Sequence, residues 1–424
     1  MDLEQLHQLF LQYGNISTDT RKIEQDSLFF ALKGPNFNGN AFAKEALKKG
    51  AAYAIIDEPE FQLDDKTILV DDVLKTLQEL GTYHRNKSKA IVISLTGSNG
   101  KTTTKELIYA VLSKKYSTIA TQGNLNNHIG VPLTLLSIRE DTEMAIIEMG
   151  ANHQKEIEFL SNLSRPDFGY ITNFGKAHLE GFGGVEGVIK GKSELYDYLL
   201  ANNGQVFLNA DDPIQKEKLS HYVKKFGFSQ TDGNYYTIKL LTAEPFVQLE
   251  FENITVETQL VGAYNFPNCC AAVVIGKYFN VPLEDIKKAI AAYIPGNNRS
   301  QLLKKGGHHI VLDAYNANPS SMEVALKSFA KVKAKRKVLF LGDMFELGEA
   351  AAKEHQAITD LAEKLGFDHV FLVGEHFADT RTNALTFSSF EDLKKYLLQN
   401  PLPQGTLLIK GSRGMAMERI LDLL

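Results

Sequence analysis

Residues 96–104 read Thr-Gly-Ser-Asn-Gly-Lys-Thr-Thr-Thr, between an apolar run at residues 91–95 and a helical pattern at residues 105–112. This order is typical of a phosphate loop, in which backbone N–H groups and the helix N-terminus face phosphate oxygens. In such a loop Lys101 reaches the β- and γ-phosphates, and the Thr102 hydroxyl binds Mg²⁺. The common G-x-x-x-x-G-K-[ST] pattern would require glycine at residue 95, where this chain has leucine. The loop instead has the form T-G-x-x-G-K-T. An ordinary glycine turn between a strand and a helix is the alternative.

The composition predicts a globular protein of several domains. The 424 residues are 44% hydrophobic and 23% charged, and at about 100 to 200 residues per domain we expect three domains. A net charge of -5 gives no positive field for a nucleic-acid partner. No apolar run approaches the roughly 20 residues of a membrane span, and residues 1–4 lack the basic start of a secretory signal. Cys269 and Cys270 are adjacent and cannot form an unstrained disulfide. We therefore expect a cytoplasmic protein, not embedded in a membrane, and a monomer.

Strand and helix patterns alternate along most of the chain. Residues 1–86 combine short apolar runs with a polar loop and predict a small α/β domain. Residues 87–296 alternate strands with helical stretches, which predicts a mostly parallel sheet, followed by an antiparallel appendage at residues 235–260. Residues 297–424 repeat the alternation, end in a helical pattern at residues 415–424 and predict a Rossmann-like α/β domain. The predicted fold class is α/β in three domains.

Outside the loop, a few charged side chains are candidates for chemistry. Glu148 ends a buried strand, where a carboxylate could hold Mg²⁺ or simply form a surface charge. His178 follows the next strand, on the side where such sheets bind ligands, although a lone histidine is also commonly structural. Lys190 and Lys192 are taken to open a helix, where positive charge is unfavourable and calls for an anionic partner unless it is solvated. A phosphate loop alone leaves kinase, hydrolase, motor and ligase open.

Three further stretches narrow these classes. They are Gly-Asn-Leu-Asn-Asn-His-Ile-Gly-Val-Pro at residues 123–132, Asp-Ala-Tyr-Asn-Ala-Asn-Pro-Ser-Ser-Met at residues 313–322, and Gly-Asp-Met-Phe-Glu-Leu-Gly at residues 342–348. With them, almost the whole chain resembles the Mur ligase superfamily, the ATP-dependent amide-forming enzymes of peptidoglycan precursor synthesis. The stretches are most similar to the branch that adds D-alanyl-D-alanine to UDP-N-acetylmuramoyl-tripeptide. The resemblance implies that residues 1–86 bind the UDP substrate, residues 87–296 bind ATP and residues 297–424 bind the incoming dipeptide.

The resemblance also implies a role for individual residues. For ATP it implies Gly97, Ser98, Asn99, Gly100, Lys101, Thr102 and Thr103 of the loop, Asn265 and Asn268 on the adenine side, and Arg299 and Asp313. For Mg²⁺ it implies Thr102, Glu148, His178 and Lys192, the lysine as an N-carboxylysine whose carbamate is an oxygen ligand. For the UDP substrate it implies Asp19, Thr20, Arg21, Lys33, Gly34, Gly39, Asn40, Asn124, Asn126 and Asn127. Near the dipeptide it implies Tyr315, Asn316 and Asn318. Lys101, His178 and Lys192 are the implied catalytic residues. Tyr264, where the family motif often has histidine, is left out, and residues 410–413 fit either the family or a structural turn.

The reaction implied by the resemblance has two steps. The tripeptide carboxylate attacks the γ-phosphate to give an acyl phosphate and ADP, and the dipeptide amine then attacks the acyl carbonyl. Phosphoryl transfer between anions needs positive charge more than a nucleophilic side chain, which agrees with the predicted residues. Three alternatives remain: a lysine- or diaminopimelate-adding Mur ligase, folylpolyglutamate synthase, and a nucleotide-gated regulatory protein that hydrolyses ATP without ligation.

Overall fold

The computed structural model describes residues 1–63, 65–296 and 298–424. These residues form two compact units. The first unit holds residues 1–94, 116–150 and 158–168, and the second holds residues 95–115, 151–157 and 169–424. The second unit therefore contains the phosphate loop together with the described chain from residue 298 onward. Asn297, the first residue of the predicted third domain, lies outside the described residues.

Helices and short strands alternate up to residue 87. They are α1 (Leu3–Tyr13), β1 (Ile16–Ser17), β2 (Leu28–Phe30), β3 (Lys33–Gly34), β4 (Phe37–Asn38), α2 (Ala43–Lys48), β5 (Tyr53–Ile56), β6 (Thr67–Leu69) and α3 (Val73–Lys87).

The middle of the chain continues with longer strands and helices. They are β7 (Ile91–Thr96), α4 (Lys101–Leu112), β8 (Thr118–Ala120), α5 (Gly130–Leu135), β9 (Met144–Glu148), α6 (Glu156–Ser164), β10 (Phe168–Ile171), α7 (Leu179–Phe182), α8 (Val185–Ala201), β11 (Gln205–Asn209), α9 (Pro213–Lys218), β12 (Lys225–Ser229), β13 (Tyr236–Thr237), β14 (Lys239–Thr242), β15 (Phe246–Phe251), β16 (Ile254–Val261), α10 (Phe266–Tyr278) and α11 (Leu283–Ala292).

The last part of the chain again alternates strands with helices. Its elements are β17 (Gln301–Lys305), β18 (His308–Asp313), α12 (Pro319–Lys331), β19 (Lys337–Gly342), α13 (Ala351–Leu365), β20 (His369–Val373), α14 (Glu375–Ala378), β21 (Leu385–Phe387), α15 (Phe390–Gln399) and β22 (Thr406–Lys410).

A parallel sheet in the order β1-β2-β5-β6 organises the start of the first unit. Alternate residues of β2 face opposite sides, as the two-residue period of a strand requires. Leu28 and Phe30 pack with Phe10 of α1 and Leu77 of α3, whereas Phe29 packs on the other face with α2. Further along this unit β8 and β9 also pair in parallel. Helices therefore cover both faces of the first sheet, as parallel sheets require.

Two further sheets belong to the second unit. One of them has the strand order β17-β18-β22-β19-β20-β21 and is parallel except for the β17–β18 hairpin. Its core contains Ile310, Val338, Phe340, Phe371 and Ile409. β14, β15 and β16 form an antiparallel sheet, and β11, β12 and β13 pair in parallel. The predicted α/β class with parallel sheets and a Rossmann-like final part is confirmed.

Two predicted elements differ from the structure. The start of the predicted antiparallel appendage, where the sequence predicts one strand over residues 235–241, is split, because β13 pairs in parallel with β12 and only β14 joins the antiparallel sheet. The predicted terminal helix at residues 415–424 consists of short 3-10 turns at Arg413–Met415 and Met417–Leu423. Ala416 separates them with a φ of 47°, a left-handed conformation that interrupts a right-handed helix. Within the described ranges, every helix is too short or too polar to cross a membrane.

Candidate functional site

The loop between β7 and α4 has the backbone of a phosphate loop. Gly97 and Gly100 have φ angles of 140° and 78°, which side-chain-bearing residues rarely adopt. A Cβ atom at Gly97 would lie 2.0 Å from Thr172 Oγ1, and one at Gly100 would lie 2.6 Å from Asn268 Oδ1. Both glycines are therefore required by conformation and by space. Lys101 begins the helix, as the sequence predicted.

Lys101 folds back over this loop. Its Nζ donates to the carbonyl of Gly97 at 2.7 Å and to that of Ser98 at 3.3 Å. Thr102 and Thr103, the next two residues of α4, are buried. The structure thus places an ammonium group, a hydroxyl group and a helix N-terminus at one end of β7, an arrangement that suits phosphate oxygens.

Asn99 connects the loop to two other segments of the second unit. Its carbonyl accepts hydrogen bonds from Thr172 Oγ1 at 2.6 Å and Asn173 Nδ2 at 3.0 Å. Its side-chain Oδ1 accepts from Asn318 Nδ2 at 2.7 Å. Asn318 also caps α12, where its Oδ1 accepts from the Ser321 N–H at 2.9 Å. A residue predicted for ATP and one predicted for the dipeptide are therefore in direct contact.

Lys192 lies in the middle of α8, and its side chain is completely buried. The helix begins at Val185, so the prediction that Lys192 lies at a helix start is wrong, and its unusual state comes from burial instead of the helix dipole. Burial, with a contribution from the nearby Lys101 ammonium, holds the pKa of Lys192 well below its usual range. Its Nζ donates to the Ala151 carbonyl at 3.2 Å and lies 4.8 Å from the centre of the Phe182 ring. Burial thus disfavours the charged form of this lysine, which lies in the same unit as the phosphate loop.

His178 lies at the start of α7 with a left-handed φ of 52°. Its Nδ1 forms a short hydrogen bond with Glu346 Oε2, and this bond lowers the pKa of the Glu346 carboxyl. Glu346 belongs to the 342–348 stretch, but nothing in the sequence pattern selects it as a partner of His178. Only its position in that stretch could have indicated it, because 168 residues separate the two side chains.

Glu148 and Asn126 are brought together in the first unit. Glu148 is buried at the end of β9, and Asn126 Nδ2 donates to its Oε1 at 2.8 Å. Asn127 Oδ1 accepts from the backbone N–H groups of Ile129 and Gly130 and so shapes the start of α5. Asn124 is exposed in the same loop. The 123–132 stretch thus holds a predicted metal ligand through one of its own asparagines.

The predicted metal ligands suit a hard cation in chemistry. The described residues contain no group of three or more His, Cys, Asp and Glu that could hold a metal ion. The predicted set includes only two residues of these types, Glu148 and His178, with the Thr102 hydroxyl and Lys192 as the remaining members. An uncharged buried amine can take up CO₂ as a carbamate, whereas an exposed lysine would stay protonated. The state of Lys192 therefore fits its predicted role.

Asp57 organises the polar loop of the first unit, although the sequence did not single it out. Asn40 is buried, and its Nδ2 donates to Asp57 Oδ1 at 2.8 Å while its Oδ1 accepts from the Asp57 N–H at 3.0 Å. Lys33 Nζ lies 3.1 Å from the same carboxylate. Burial opposes ionisation of Asp57, but hydrogen bonds led by Asn40 outweigh it and lower the pKa. Gly34 and Gly39 flank this cluster, and a Cβ at Gly39 would lie 2.2 Å from the Leu32 carbonyl oxygen.

The predicted Asp19-Thr20-Arg21 motif forms a local turn. Asp19 Oδ1 accepts from the Arg21 N–H at 2.9 Å and so caps the 3-10 helix Thr20–Lys22. The Arg21 guanidinium also bonds the Asp19 carboxylate at 2.7 Å and lowers the pKa of Asp19 to about 2. The motif is partly exposed, so its charges are accessible from solvent.

Asn265 and Asn268 are buried at the start of α10. Asn268 Nδ2 donates to Asn265 Oδ1 at 2.9 Å, and Asn268 Oδ1 accepts from Thr104 of α4 at 3.1 Å. These bonds join α10 to the helix that follows the phosphate loop. Tyr264, just before them, forms a 2.8 Å hydrogen bond with Ser300 Oγ.

Arg299 and Asp313 lie beside the predicted dipeptide residues. The Arg299 guanidinium stacks 3.5 Å from the centre of the Tyr315 ring, close enough for a cation–π interaction. Asp313 Oδ2 accepts from the buried Lys410 Nζ at 2.5 Å, and the carbonyl of the exposed Asn316 accepts from the same Nζ at 3.2 Å. Lys410 is therefore a buried ion-pair partner of a predicted ATP residue.

Comparison with protein-family models gives three Mur ligase domains, which together match most of the chain. Residues 12–85 match the model described as the Mur ligase family, catalytic domain. Residues 95–276 match the Mur ligase middle domain, and residues 298–413 match the Mur ligase, glutamate ligase domain.

Individual relatives agree with these models. The chain is 35% identical to a UDP-N-acetylmuramoyl-tripeptide–D-alanyl-D-alanine ligase of Bacillus subtilis, over 96% of this chain and 92% of the relative. It is 34% identical to the Escherichia coli ligase of the same name, over 96% and 93%. A crystal structure of MurF from Acinetobacter baumannii superimposes with a TM-score of 0.84 at 33% identity, over 96% and 93%. A MurF ligase from Thermotoga maritima in complex with ADP has a TM-score of 0.84 at 25% identity, over 97% of each chain.

Proposed function

The chain belongs to the Mur ligase family, and we propose that it joins D-alanyl-D-alanine to UDP-N-acetylmuramoyl-tripeptide in peptidoglycan precursor synthesis. It is an ATP-dependent ligase that forms a carbon–nitrogen bond. The observation that carries the proposal is the fully buried Lys192, whose pKa is lowered by burial, in the same unit as the phosphate loop, in a chain that aligns over 96% of its length with ligases of this activity. An ordinary ATP-binding loop does not require a buried amine nearby.

We assign one substrate to each part of the chain. Residues 1–86 are proposed to bind the UDP substrate, with Asn124, Asn126 and Asn127 of the following part. Residues 87–296 are proposed to bind ATP, and residues 297–424 the dipeptide. The partly exposed Asp19-Thr20-Arg21 turn and the cluster of Lys33, Gly34, Gly39 and Asn40 would supply charge and hydrogen-bonding groups for a nucleotide sugar.

ATP binding requires Lys101 to change partners. The bonds from its Nζ to the Gly97 and Ser98 carbonyls would be exchanged for bonds to the β- and γ-phosphates, where charge assistance makes them stronger. The loop amides from Gly97 to Thr103 would bind the same phosphates. Arg299, Asp313, Asn265 and Asn268 are the proposed contacts of the nucleoside part.

Mg²⁺ is proposed to bind Thr102, Glu148, His178 and the carbamate of Lys192. Carbamate formation joins the uncharged Nζ to CO₂ and releases one proton, so the side chain becomes an anionic oxygen ligand of the kind that Mg²⁺ prefers. When bound, Mg²⁺ supplies positive charge to the phosphate oxygens.

The side chains of the site promote both steps of the reaction by neutralising and positioning charge. A tripeptide carboxylate oxygen bonds the γ-phosphorus, the bond from that phosphorus to the β–γ bridging oxygen breaks, and ADP leaves. Lys101 and the loop amides stabilise negative charge on the transferred group. The dipeptide amine then bonds the acyl carbon, loses a proton, and inorganic phosphate leaves. Tyr315, Asn316 and Asn318 are proposed to position the dipeptide, and Asn318 does so next to the loop because it bonds Asn99.

One assay tests the function directly. Purified protein with Mg²⁺ and ATP should form UDP-linked pentapeptide, detected by mass, and turn over ATP to ADP repeatedly only when both the UDP-tripeptide and D-alanyl-D-alanine are present. Sustained ADP release when the UDP-tripeptide or the dipeptide is left out, with no pentapeptide formed, would contradict the proposal. Replacing the dipeptide with lysine or diaminopimelate serves as the control for the other Mur-type ligases. Because its substrates are ATP and a nucleotide-linked precursor, we propose that the protein acts in the cytoplasm, as a monomer.

A further inference from the structure

Two left-handed turns of the second unit meet at His178 and Glu346. Their φ angles are 52° and 61°, and neither residue is glycine. Such conformations persist where surrounding contacts hold them. The side chains are joined by the hydrogen bond at His178 Nδ1, and the Glu180 N–H donates to the Glu346 carbonyl at 3.2 Å. A Cβ at Gly348 would lie 3.1 Å from the Glu180 side chain. The two turns are therefore fitted closely to each other.

We propose that Glu346 is a positioning residue for His178, and that its carboxylate fixes the imidazole with the proton on Nδ1. A carboxylate only accepts hydrogen bonds, so the ring nitrogen that faces it must carry hydrogen. In the neutral ring the other nitrogen, Nε2, then keeps its lone pair. The inference rests on the proposed function, because that lone pair is what would bind a metal ion or accept a proton.

This arrangement explains why the 342–348 stretch belongs to the site. The proposed dipeptide part supplies Glu346, while His178 comes from the part proposed to bind ATP. A histidine that ligates a metal commonly gives its second N–H to a carboxylate, and losing that partner typically lowers activity by about 10- to 100-fold. The ring of His178 thus has a defined orientation only where these two turns are in contact.

The tautomer can be measured without substrate or metal. Protein labelled with ¹⁵N-histidine is studied by two-bond ¹H–¹⁵N correlation at about pH 8, where an unperturbed histidine is neutral, and His178 is assigned by its absence in His178→Gln. We expect hydrogen on Nδ1 and none on Nε2 in the wild type. Glu346→Ala should shift His178 towards the Nε2–H form, whereas Glu346→Gln keeps an acceptor oxygen and should retain most of the Nδ1–H form.

Kinetics separate positioning from a simple tether. Glu346→Ala should lower kcat by about 10- to 100-fold with KM values for ATP and dipeptide within about twofold, and Glu346→Gln should restore part of kcat. Glu349→Ala removes an exposed carboxylate of the same loop and should leave the tautomer and kcat unchanged. Melting curves of each variant show whether it is folded.

The inference is overturned if wild-type His178 carries hydrogen on Nε2, or if Glu346→Ala folds and keeps the wild-type tautomer. An unchanged tautomer with a raised KM would identify Glu346 as a tether only. Wild-type ligation is measured in parallel. If the wild type makes no pentapeptide, the proposed function fails, while the tautomer of the metal-free protein still decides the inference.

Discussion

Lys192 and Lys410 are both buried lysines of the second unit, but they are accommodated in opposite ways. Their residues are 0% and 2% exposed. Lys410 Nζ lies 2.5 Å from the Asp313 carboxylate, so its charge is balanced. Among the ion pairs of the described residues none includes Lys192, whose Nζ donates to the Ala151 carbonyl, and its pKa is well below the usual range because of burial. A buried lysine in an ion pair has its charge balanced, whereas burial without an ion-pair partner disfavours the charged form.

The difference indicates what each lysine can do. An ammonium in an ion pair has no lone pair and acts through structure, here by holding Asp313. An uncharged amine is nucleophilic and can be modified. Burial alone therefore does not identify a reactive lysine, and the absence of a counterion is the more informative property. Substitutions that remove the amine while keeping an unbranched chain test this contrast directly.

Lys192→Met should give the largest effect. We expect the ligation rate to fall by about 1000-fold, because an oxygen ligand and its charge stabilisation are lost from the site. Stability should stay the same or rise, because a buried polar group is replaced by an apolar one of similar length. The measurements are pentapeptide formation by mass and thermal melting.

Lys190→Met is the matched control, since Lys190 is exposed on the same helix, two residues before Lys192. It should ligate at the wild-type rate. Wild-type protein in ¹³C-bicarbonate should also show a carbamate signal that Lys192→Met lacks and Lys190→Met keeps. A Lys192→Met protein with activity within about tenfold of wild type would remove the contrast between the two buried lysines.

Lys410→Met should act mainly on stability. It leaves the Asp313 carboxylate, 18% exposed, without its cation, and removing one partner of a buried pair costs about 3 kcal/mol or more. Urea unfolding followed by circular dichroism should show the loss. The double variant Lys410→Met/Asp313→Asn should recover part of it, because no unpaired charge remains.

The surface pair of Lys395 with Asp392 provides the comparison for that measurement. Their side chains are 76% and 51% exposed, and Lys395→Met should leave the unfolding free energy unchanged within experimental error. A Lys410→Met protein as stable as Lys395→Met would show that the buried pair contributes nothing beyond a surface pair.

The sequence predicted local structure well where the pattern itself determines it. The sequence predicts strands at residues 144–148, 205–209 and 246–251, and these are the bounds of β9, β11 and β15, because each is a short apolar or alternating run. The phosphate loop was predictable for the same reason, since its glycines, lysine and helix start lie within a few residues. The terminal segment was not, because a single left-handed residue, Ala416, divides a helical pattern.

The partners within the candidate site could not be predicted in this way. His178 and Glu346 are 168 residues apart, and Asp313 and Lys410 are 97 apart. Each pairing depends on which strands and loops become neighbours, and no periodicity within one segment records that. The burial of Lys192 is a similar case, because it follows from what covers α8 and not from the position of the lysine within the helix.

A buried histidine pair of the first unit extends the contrast to bases that are neutral together. His84 Nε2 donates to the Ile138 carbonyl at 2.9 Å, so its Nδ1 is left to accept from His7 Nε2 at 3.0 Å. Burial lowers the pKa of both rings, and each pKa is further lowered by a nearby cation, Lys87 for His7 and Arg139 for His84. Protonation of either ring is therefore unfavourable in this hydrogen-bonded pair.

The His7–His84 pair should make the free energy of unfolding depend on pH, and this effect is smaller than those expected above. With folded pKa values below the unfolded value of about 6.5, the unfolded chain binds more protons, so the contribution is complete above that pH and is lost as pH falls. From about pH 8 to about pH 5 the wild type should lose about 1 kcal/mol more stability than His7→Asn/His84→Gln, whose amides do not titrate. Urea unfolding by circular dichroism measures it, with His221→Gln, at an exposed histidine, as the control.

Equal pH dependence in the wild type and the double variant would mean that the two rings accept protons in the folded state. Burial without a nearby anion would then not be enough to lower the pKa of a basic side chain. The lowered pKa of Lys192 would need a different cause.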